Sequence, residues 1–309
     1  MTPDRILITG STGFVGGYLR SALAAEWPAA ALIPGDADVT DIAAVRRMIE
    51  QARPDAVVHL AGIASVPAAR LAPDRAFAVN LGGSIAVARA IIETAPNCLM
   101  VHVGSAECYG GSFRAGTALD ESAALAPLNT YAATKAAADL SLGAMAAESG
   151  LRLVRFRPFN HTGPGQSDAF VIPAFAAQIA AIMAGSQPPV IKVGNLDAAR
   201  DFLDVRDIVR AYTLAIAHAN DLMPGAIFNL ASGTPRRIGD ILHTMISAAD
   251  RPITVEIDPA RLRPVDIPSA FGDATAADRI LGWRPTIDLT TTLQDMLTAN
   301  TRPERTQIP

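Results

Sequence analysis

The sequence predicts an α/β protein built on a doubly wound parallel sheet with a smaller C-terminal lobe, and three observations carry that expectation. Short apolar runs alternate with longer helical patterns through the first half of the chain. The runs are apolar throughout instead of alternating with polar residues, as strands covered on both faces require. A glycine-rich turn follows the first of them.

RILIT at 5–9 reads as the first strand and the pattern at 14–26 as its helical crossover. Further strand candidates are AALI (30–33), AVVHLA (56–61), LMVHVG (99–104) and LRLVRF (151–156), separated by helical patterns near 41–52, 74–95 and 131–149. Right-handed crossovers would place those helices on both faces. After Pro158 the texture changes: the polar NHTGPGQSDAF precedes a helical pattern over 171–185, then PVIKVG, the helix-like VRDIVRAYTLAIAHA, the strand-like AIFNLA and a closing helical region. The expected division is a sheet domain over 1–160 and about 200–232, with the smaller lobe over about 161–199 and 233–309. The tail TRPERTQIP reads as loosely ordered.

Composition narrows the function classes. With 309 residues, half of them hydrophobic, the chain can bury a large core. A net charge of −4 gives no overall basic field for nucleic acid, and an anionic ligand would need local arginines. Cys98 and Cys108 lack metal-ligand spacing and suggest no disulfide framework, which points to a reducing cytoplasm. No signal peptide is expected at MTPDRILITGSTGF, and no apolar stretch reads as membrane-spanning. The five histidines are scattered; His59 and His102 lie in strand-like runs where core packing is the expected role, and no metal site is expected.

TGSTGFVGG at 9–17 places Gly10, Gly13 and Gly16 between a strand and a helix. Glycines let the backbone approach a pyrophosphate while the helix N-terminus offers free N–H groups, so a dinucleotide site is expected there. An acidic group for the adenosine ribose is then expected near the end of the second strand. IPGDADVTD offers Asp36 and Asp38, either of which could instead cap a helix or loop. No arginine follows this strand to receive a 2′-phosphate, which favours NADH. At the end of the fourth strand, VGSAECYGG places Ser105 where open parallel sheets bind ligands, with Glu107 two residues on as a second acid or base. NTYAATKAAAD holds one of only two lysines: on a helix, Tyr131 and Lys135 share a face, and the ammonium is expected to pull the phenol's pKa down.

The glycine turn, S-x-x-x-Y-G at 105–110 and Y-x-x-x-K at 131–135 together resemble the extended short-chain dehydrogenase/reductase family, which acts largely on nucleotide sugars. RPFNHTGPGQ (157–166), VGNLDAARDFLDVRDIV (193–209) and LRPVDIP (262–268) resemble its branch for GDP-6-deoxyhexoses. The resemblance implies a Rossmann-type fold and reduction of the C4 ketone of GDP-4-keto-6-deoxy-D-mannose to GDP-D-rhamnose with NAD(H) or NADP(H). Tyr131 would supply the proton, Lys135 would hold the nicotinamide ribose, and Ser105 would polarise the ketone. Gly10, Gly13, Phe14, Val15, Gly16, Asp38, Val39, Leu60, Ala61 and Gly62 would line the cofactor. Glu107, Asn160, Val171, Lys192, Arg200 and Arg263 would meet the GDP-sugar. The resemblance also implies a homodimer through the helices near 74–95 and 131–149. Alternatives are a 4,6-dehydratase, which also uses a glutamate two residues after the serine or threonine, a reductase giving the talose epimer, and a non-catalytic dinucleotide sensor. The segment from Ala29 to Asp41 is short for the family, which leaves the cofactor preference open, and Gly62 stands where alanine is common.

Overall fold

The structure is a computed structural model and describes residues 1–262 and 267–301. Its elements run β1 (Arg5–Thr9), α1 (Phe14–Glu26), β2 (Ala31–Gly35), α2 (Ile42–Ala52), β3 (Ala56–His59), α3 (Val66–Leu71), α4 (Pro73–Phe77), α5 (Gly83–Thr94), β4 (Leu99–Val103), α6 (Thr130–Ser149) and β5 (Leu153–Pro158). There follow β6 (Asn160–Thr162), α7 (Val171–Met183), β7 (Val190–Val193), β8 (Ala199–Asp204), α8 (Val205–Ala217), β9 (Ala226–Leu230), β10 (Pro235–Arg237), α9 (Ile238–Ile246), β11 (Thr254–Ile257), β12 (Ser269–Ala270), α10 (Thr275–Leu281) and α11 (Leu289–Thr301).

Six strands form one parallel sheet in the order β2-β1-β3-β4-β5-β9. Consecutive residues of each strand feed opposite faces, and both faces are covered. Ile6, Ile8, Val58, Val101 and Phe156 pack with Leu19 and Leu23 of α1 and Ile208 and Tyr212 of α8. Leu7, Val57, Met100 and Leu153 pack with Val45 and Ile49 of α2, Val87 and Ile91 of α5 and Leu142 of α6. Each such aliphatic side chain contributes about 1.5–3 kcal/mol of burial, which is why these strands have no polar face.

Strand order reverses beside β1, since β2 lies on one side of it and β3 on the other. Ligands of open α/β sheets sit at this switch, beyond the strands' carboxyl ends. The short segment after β2 adds no further strand, so β2 is the sheet's edge and residues 36–41 run straight into α2. Smaller elements sit to one side. β8 pairs with β10, β12 and β6, β7 pairs with β11, and Phe175, Ile179, Phe202, Leu242 and Met296 share a core there.

The helical pattern near 74–95 folds as α4, a π turn (Ala78–Gly82) and α5, with α3 as an additional short helix. Fused end to end, Pro73–Thr94 is 22 residues, long and apolar enough by length and composition to cross a membrane, contrary to the sequence expectation. Half of its apolar window is buried in the fold, where α5 packs on α2 and α6. The tail after Thr301 lies outside the described residues.

Candidate active site

The glycine turn closes the end of β1 by backbone contacts that side chains would prevent. Gly10 has φ +69°, and a Cβ there would stand 2.9 Å from the Ala61 nitrogen; one on Gly16 would stand 2.4 Å from the Gly10 carbonyl. The Gly13 N–H donates to the Gly10 carbonyl at 3.1 Å, and α1 begins without a side-chain cap. The N–H groups of its first turn, around Phe14 and Val15, are therefore available to an anionic ligand. Thr9 ties this turn to the next loop: its carbonyl accepts from Leu60 N–H at 3.2 Å and its hydroxyl from Ala61 N–H at 3.2 Å.

The same loop reaches the lysine. A Cβ on Gly62 would lie 3.6 Å from Lys135 Nζ and 3.0 Å from Asn80 Oδ1, so glycine suits this close approach. Asn80 sits in the π turn and is buried; it accepts from Ile63 N–H at 2.8 Å and donates to the Ile63 carbonyl at 3.1 Å and the Thr134 hydroxyl at 2.9 Å. One amide thereby pins the loop after β3 to α6. Sequence reasoning missed it; the available signal was an isolated amide within the apolar run AFAVNLGG.

α6 starts with Asn129 as its cap, the Asn129 side chain accepting from Ala132 N–H at 2.9 Å, and this fixes Tyr131 in the first turn. Tyr131 and Ser105 are each 9% exposed, enough to be reached from the cleft and little enough to be desolvated. Burial, with Glu107 and Cys108 acting in the same direction and the neighbouring Ser105 hydroxyl in the opposite one, pushes the phenol up to about 12. Lys135 does not act on the phenol as the sequence suggested. Its ammonium donates to the Val103 carbonyl at 2.9 Å, at the end of β4, and burial pushes it down to about 8. Desolvation outweighs neighbouring charge, so the phenol rests protonated and the lysine is poised to exchange a proton near neutrality.

Beneath the site, His59 and His102 stack across β3 and β4 with ring centroids 6.1 Å apart. His59 Nδ1 shares a 2.8 Å hydrogen bond with the Thr9 hydroxyl. Burial and the Lys135 charge push His59 down to about 3 and His102 also well down, so both are neutral core groups. Cys98 and Cys108 are buried free thiols, each pushed up to about 12 by burial and therefore inert.

A buried ion network sets the Ser105 segment against α6. Asp139 of α6 accepts from Arg157 at 2.8 and 3.0 Å and from Arg155 at 2.9 Å. Arg157 lies over the Tyr109 ring, 5.2 Å from its centroid, and donates to its hydroxyl at 3.0 Å; that hydroxyl donates to Asn229 Oδ1 at 2.8 Å. Two motif residues, Tyr109 and Arg157, are thus struts.

The remaining sequence candidates divide. Glu107 is half-buried beside Tyr131, and its carboxylate partly offsets the burial that pulls Arg200 down, so these three converge. The Arg200 guanidinium is anchored by the Ala199 and Ile267 carbonyls at 2.7 and 3.1 Å. Asn160 is exposed on β6, and Val171 is exposed in the first turn of α7. Lys192 is exposed on β7, in register with Glu256 of β11, and no contact among the described residues ties it to Tyr131. Asp38 accepts from Thr40 N–H at 2.9 Å and from its hydroxyl at 2.8 Å, both on Oδ1, which pulls the carboxyl down and shapes the loop turn. Val39 packs under α5, where a Cβ on Gly83 would meet it at 2.6 Å. Arg263 lies outside the described residues.

The sequence model of the GDP-mannose 4,6 dehydratase family matches residues 30–296. The chain is 33% identical to GDP-6-deoxy-D-mannose reductase of Pseudomonas aeruginosa, over 95% of this chain and 96% of that one. It is 26% identical to GDP-6-deoxy-D-talose 4-dehydrogenase of Aggregatibacter actinomycetemcomitans, over 90% and 91% of the two chains. The structure of RMD from P. aeruginosa complexed with NADPH superposes with a TM-score of 0.88 at 31% identity, covering 96% of this chain and 99% of that one.

Proposed function

The chain belongs to the GDP-mannose 4,6-dehydratase family of extended short-chain dehydrogenase/reductases, and from that premise we propose that it reduces the C4 ketone of GDP-4-keto-6-deoxy-D-mannose to give GDP-D-rhamnose. NAD(P)H supplies the hydride when bound. The residues present fit such a cofactor, since the Gly10 and Gly16 positions form a cradle that any Cβ would fill. Gly10, Gly13, Phe14, Val15 and Gly16 would hold its pyrophosphate side, Leu60, Ala61 and Gly62 its nicotinamide side, and Lys135 its ribose.

The observation that carries the reading is the convergence of Ser105, Tyr131 and Lys135 at the carboxyl end of β4, beside the loop that leads to the glycine turn. Reduction needs a proton donor, and burial keeps the Tyr131 phenol protonated. Tyr131 gives that proton to the developing alkoxide. Ser105, already the polar neighbour of the phenol, orients the carbonyl and stabilises the phenolate left behind. Lys135, tied to the Val103 carbonyl and held down to about 8, would hold the ribose beside the phenol, whose proton solvent in the cleft restores. Arg200 and Glu107 face the same space from opposite lobes, and a planar guanidinium there suits a sugar diphosphate. We place the nucleotide sugar between the sheet domain and the smaller lobe, reached also by Asn160 and Val171.

Glu107 beside Tyr131 also favours a second reading, dehydration of GDP-mannose. Purified protein mixed with GDP-4-keto-6-deoxymannose and reduced nicotinamide should oxidise one cofactor per sugar and yield rhamnose. Conversion of GDP-mannose without added reductant would replace reductase by dehydratase. A talose product would keep the chemistry and change the face attacked. The homodimer belongs to the same proposal: Phe77 of α4 and Leu140 of α6 are 40% and 60% exposed, and a solution mass of one chain would refute it. Two free thiols suit a reducing cytoplasm.

A further inference from the structure

We propose that Tyr18 is a positioning residue: its hydroxyl ties the turn at residues 163–166, on the sugar side of the cleft, to the helix whose N-terminus meets the cofactor. The inference rests on the reading of the chain as a nicotinamide-dependent enzyme of nucleotide sugars. It gives a role to a residue that lies one position beyond the glycine turn and belongs to none of the motifs.

The turn is built to present one carbonyl. Pro164 is followed by Gly165 at φ +84°, and the Gln166 N–H closes on the Gly163 carbonyl at 3.3 Å. Proline second and a positive-φ glycine third mark a type II turn, whose middle peptide turns its carbonyl outward, away from any partner within the turn. Tyr18, one helical turn after Phe14 in α1, donates its hydroxyl to that Pro164 carbonyl at 2.8 Å. Among the described residues, no other α1 side chain hydrogen-bonds outside its own helix.

The seat of the turn is close-fitting. A Cβ on Gly163 would stand 2.8 Å from Val205 Cγ1, at the start of α8, and 3.7 Å from both Phe14 Cζ and the Tyr18 hydroxyl. Phe14 braces the phenol edge-to-face, with ring centroids 5.5 Å apart. Behind the turn, the Thr162 hydroxyl donates to Gln166 Oε1 at 2.7 Å and Gln166 Nε2 donates to the His161 carbonyl at 3.2 Å, so the turn and β6 form one piece. Asn160 begins that strand.

One helix thereby serves both sides of the cleft: its first-turn N–H groups face the pyrophosphate, and its Tyr18 holds the piece that carries Asn160. Without the hydroxyl, the Pro164 carbonyl turns to water and the sugar side is held for only part of the time. The held fraction alone takes the sugar, so apparent sugar affinity falls by that fraction, while a bound sugar restores the arrangement and leaves the chemical step intact. Cofactor binding, made by the glycine turn, does not depend on it.

Tyr18→Phe keeps the ring and removes the tie. KM for the keto sugar, kcat, and dissociation constants for NADPH and for GDP-mannose, a probe without a ketone, are compared with those of the native protein. KM and the GDP-mannose constant should rise together by about three- to tenfold, the range one hydrogen bond sets, with kcat and the NADPH constant within about twofold. A merely destabilised fold would lose both ligands alike. Gly163→Ala, which crowds the seat, should raise the same two constants, and the double variant should lose less than the product of the single losses, because both changes act on one contact. Unchanged KM and GDP-mannose affinity in Tyr18→Phe overturn the proposal, as does a fall in kcat at constant KM or an equal loss of NADPH affinity, either of which would put the hydroxyl in the chemistry or the cofactor site. A native protein that binds GDP-mannose and NADPH without reducing the keto sugar would remove the substrate assignment and leave this inference standing on the two dissociation constants.

Discussion

The proposed chemistry turns on a phenol whose environment does the opposite of what its neighbour's charge suggests. Tyr131 and Lys135 share a helix face, yet the lysine points to the Val103 carbonyl and burial governs both groups. The spacing was legible in the sequence, whereas the direction of the tuning was not, because desolvation depends on what covers the residue. Tyr131→Phe removes the proposed proton donor and keeps the ring that fills the pocket. Turnover should fall by about 10²–10⁴-fold with cofactor affinity retained, as read from steady-state rates and a fluorescence titration. Retained turnover would reject Tyr131 as the donor. Asn80 shows the reverse case: a residue type common in loops, silent in the sequence, whose place in the π turn makes it the pin between the Ile63 loop and α6.

Between elements, the decisive join is α6 to β5 and to the segment after β4. Asp139 is 1% exposed and balances Arg155 and Arg157, so removing it leaves two guanidiniums with a shared partner gone. Breaking a buried pair from one side costs about 3–5 kcal/mol. Asp139→Ala should lower unfolding stability by about that much, measured by denaturant titration, and a change below about 1 kcal/mol would show that the network carries little stability. The helix and strand periods announced most elements of the sheet, including β1 and α1 with the bounds expected. The π turn inside 73–94 and the short strands β6, β10 and β12 did not announce themselves, because pieces of two to five residues leave too few positions to show a period.

Across the whole molecule, two histidines are held neutral by the core. His59 is pushed down to about 3 and His102 well down, while His161, half-buried with its Nδ1 on the Phe159 carbonyl, is lowered in the same direction. The unfolded forms of His59 and His102 bind protons below about pH 6.5 while the folded forms do not, so the stability they confer is complete above that pH. It is lost as pH falls from 6.5 towards 3. Between pH 6 and 5, above the range of ordinary carboxylates, His59 and His102 should remove about 2.5 kcal/mol per unit, with His161 adding in the same direction. Unfolding midpoints measured across that interval should slope accordingly, and a flat profile would contradict neutral burial.

By itself the sequence determined the parallel α/β architecture, the glycine turn and the identity of the serine, tyrosine and lysine, because those follow from local period and from chemistry at fixed spacing. Only the tertiary structure decided which charges are free to act. Asp38 is engaged, Arg157 is a strut, Arg200 faces Glu107, and the phenol is protonated. Those outcomes depend on partners far apart along the chain and on the exclusion of water, neither of which any local stretch of residues encodes.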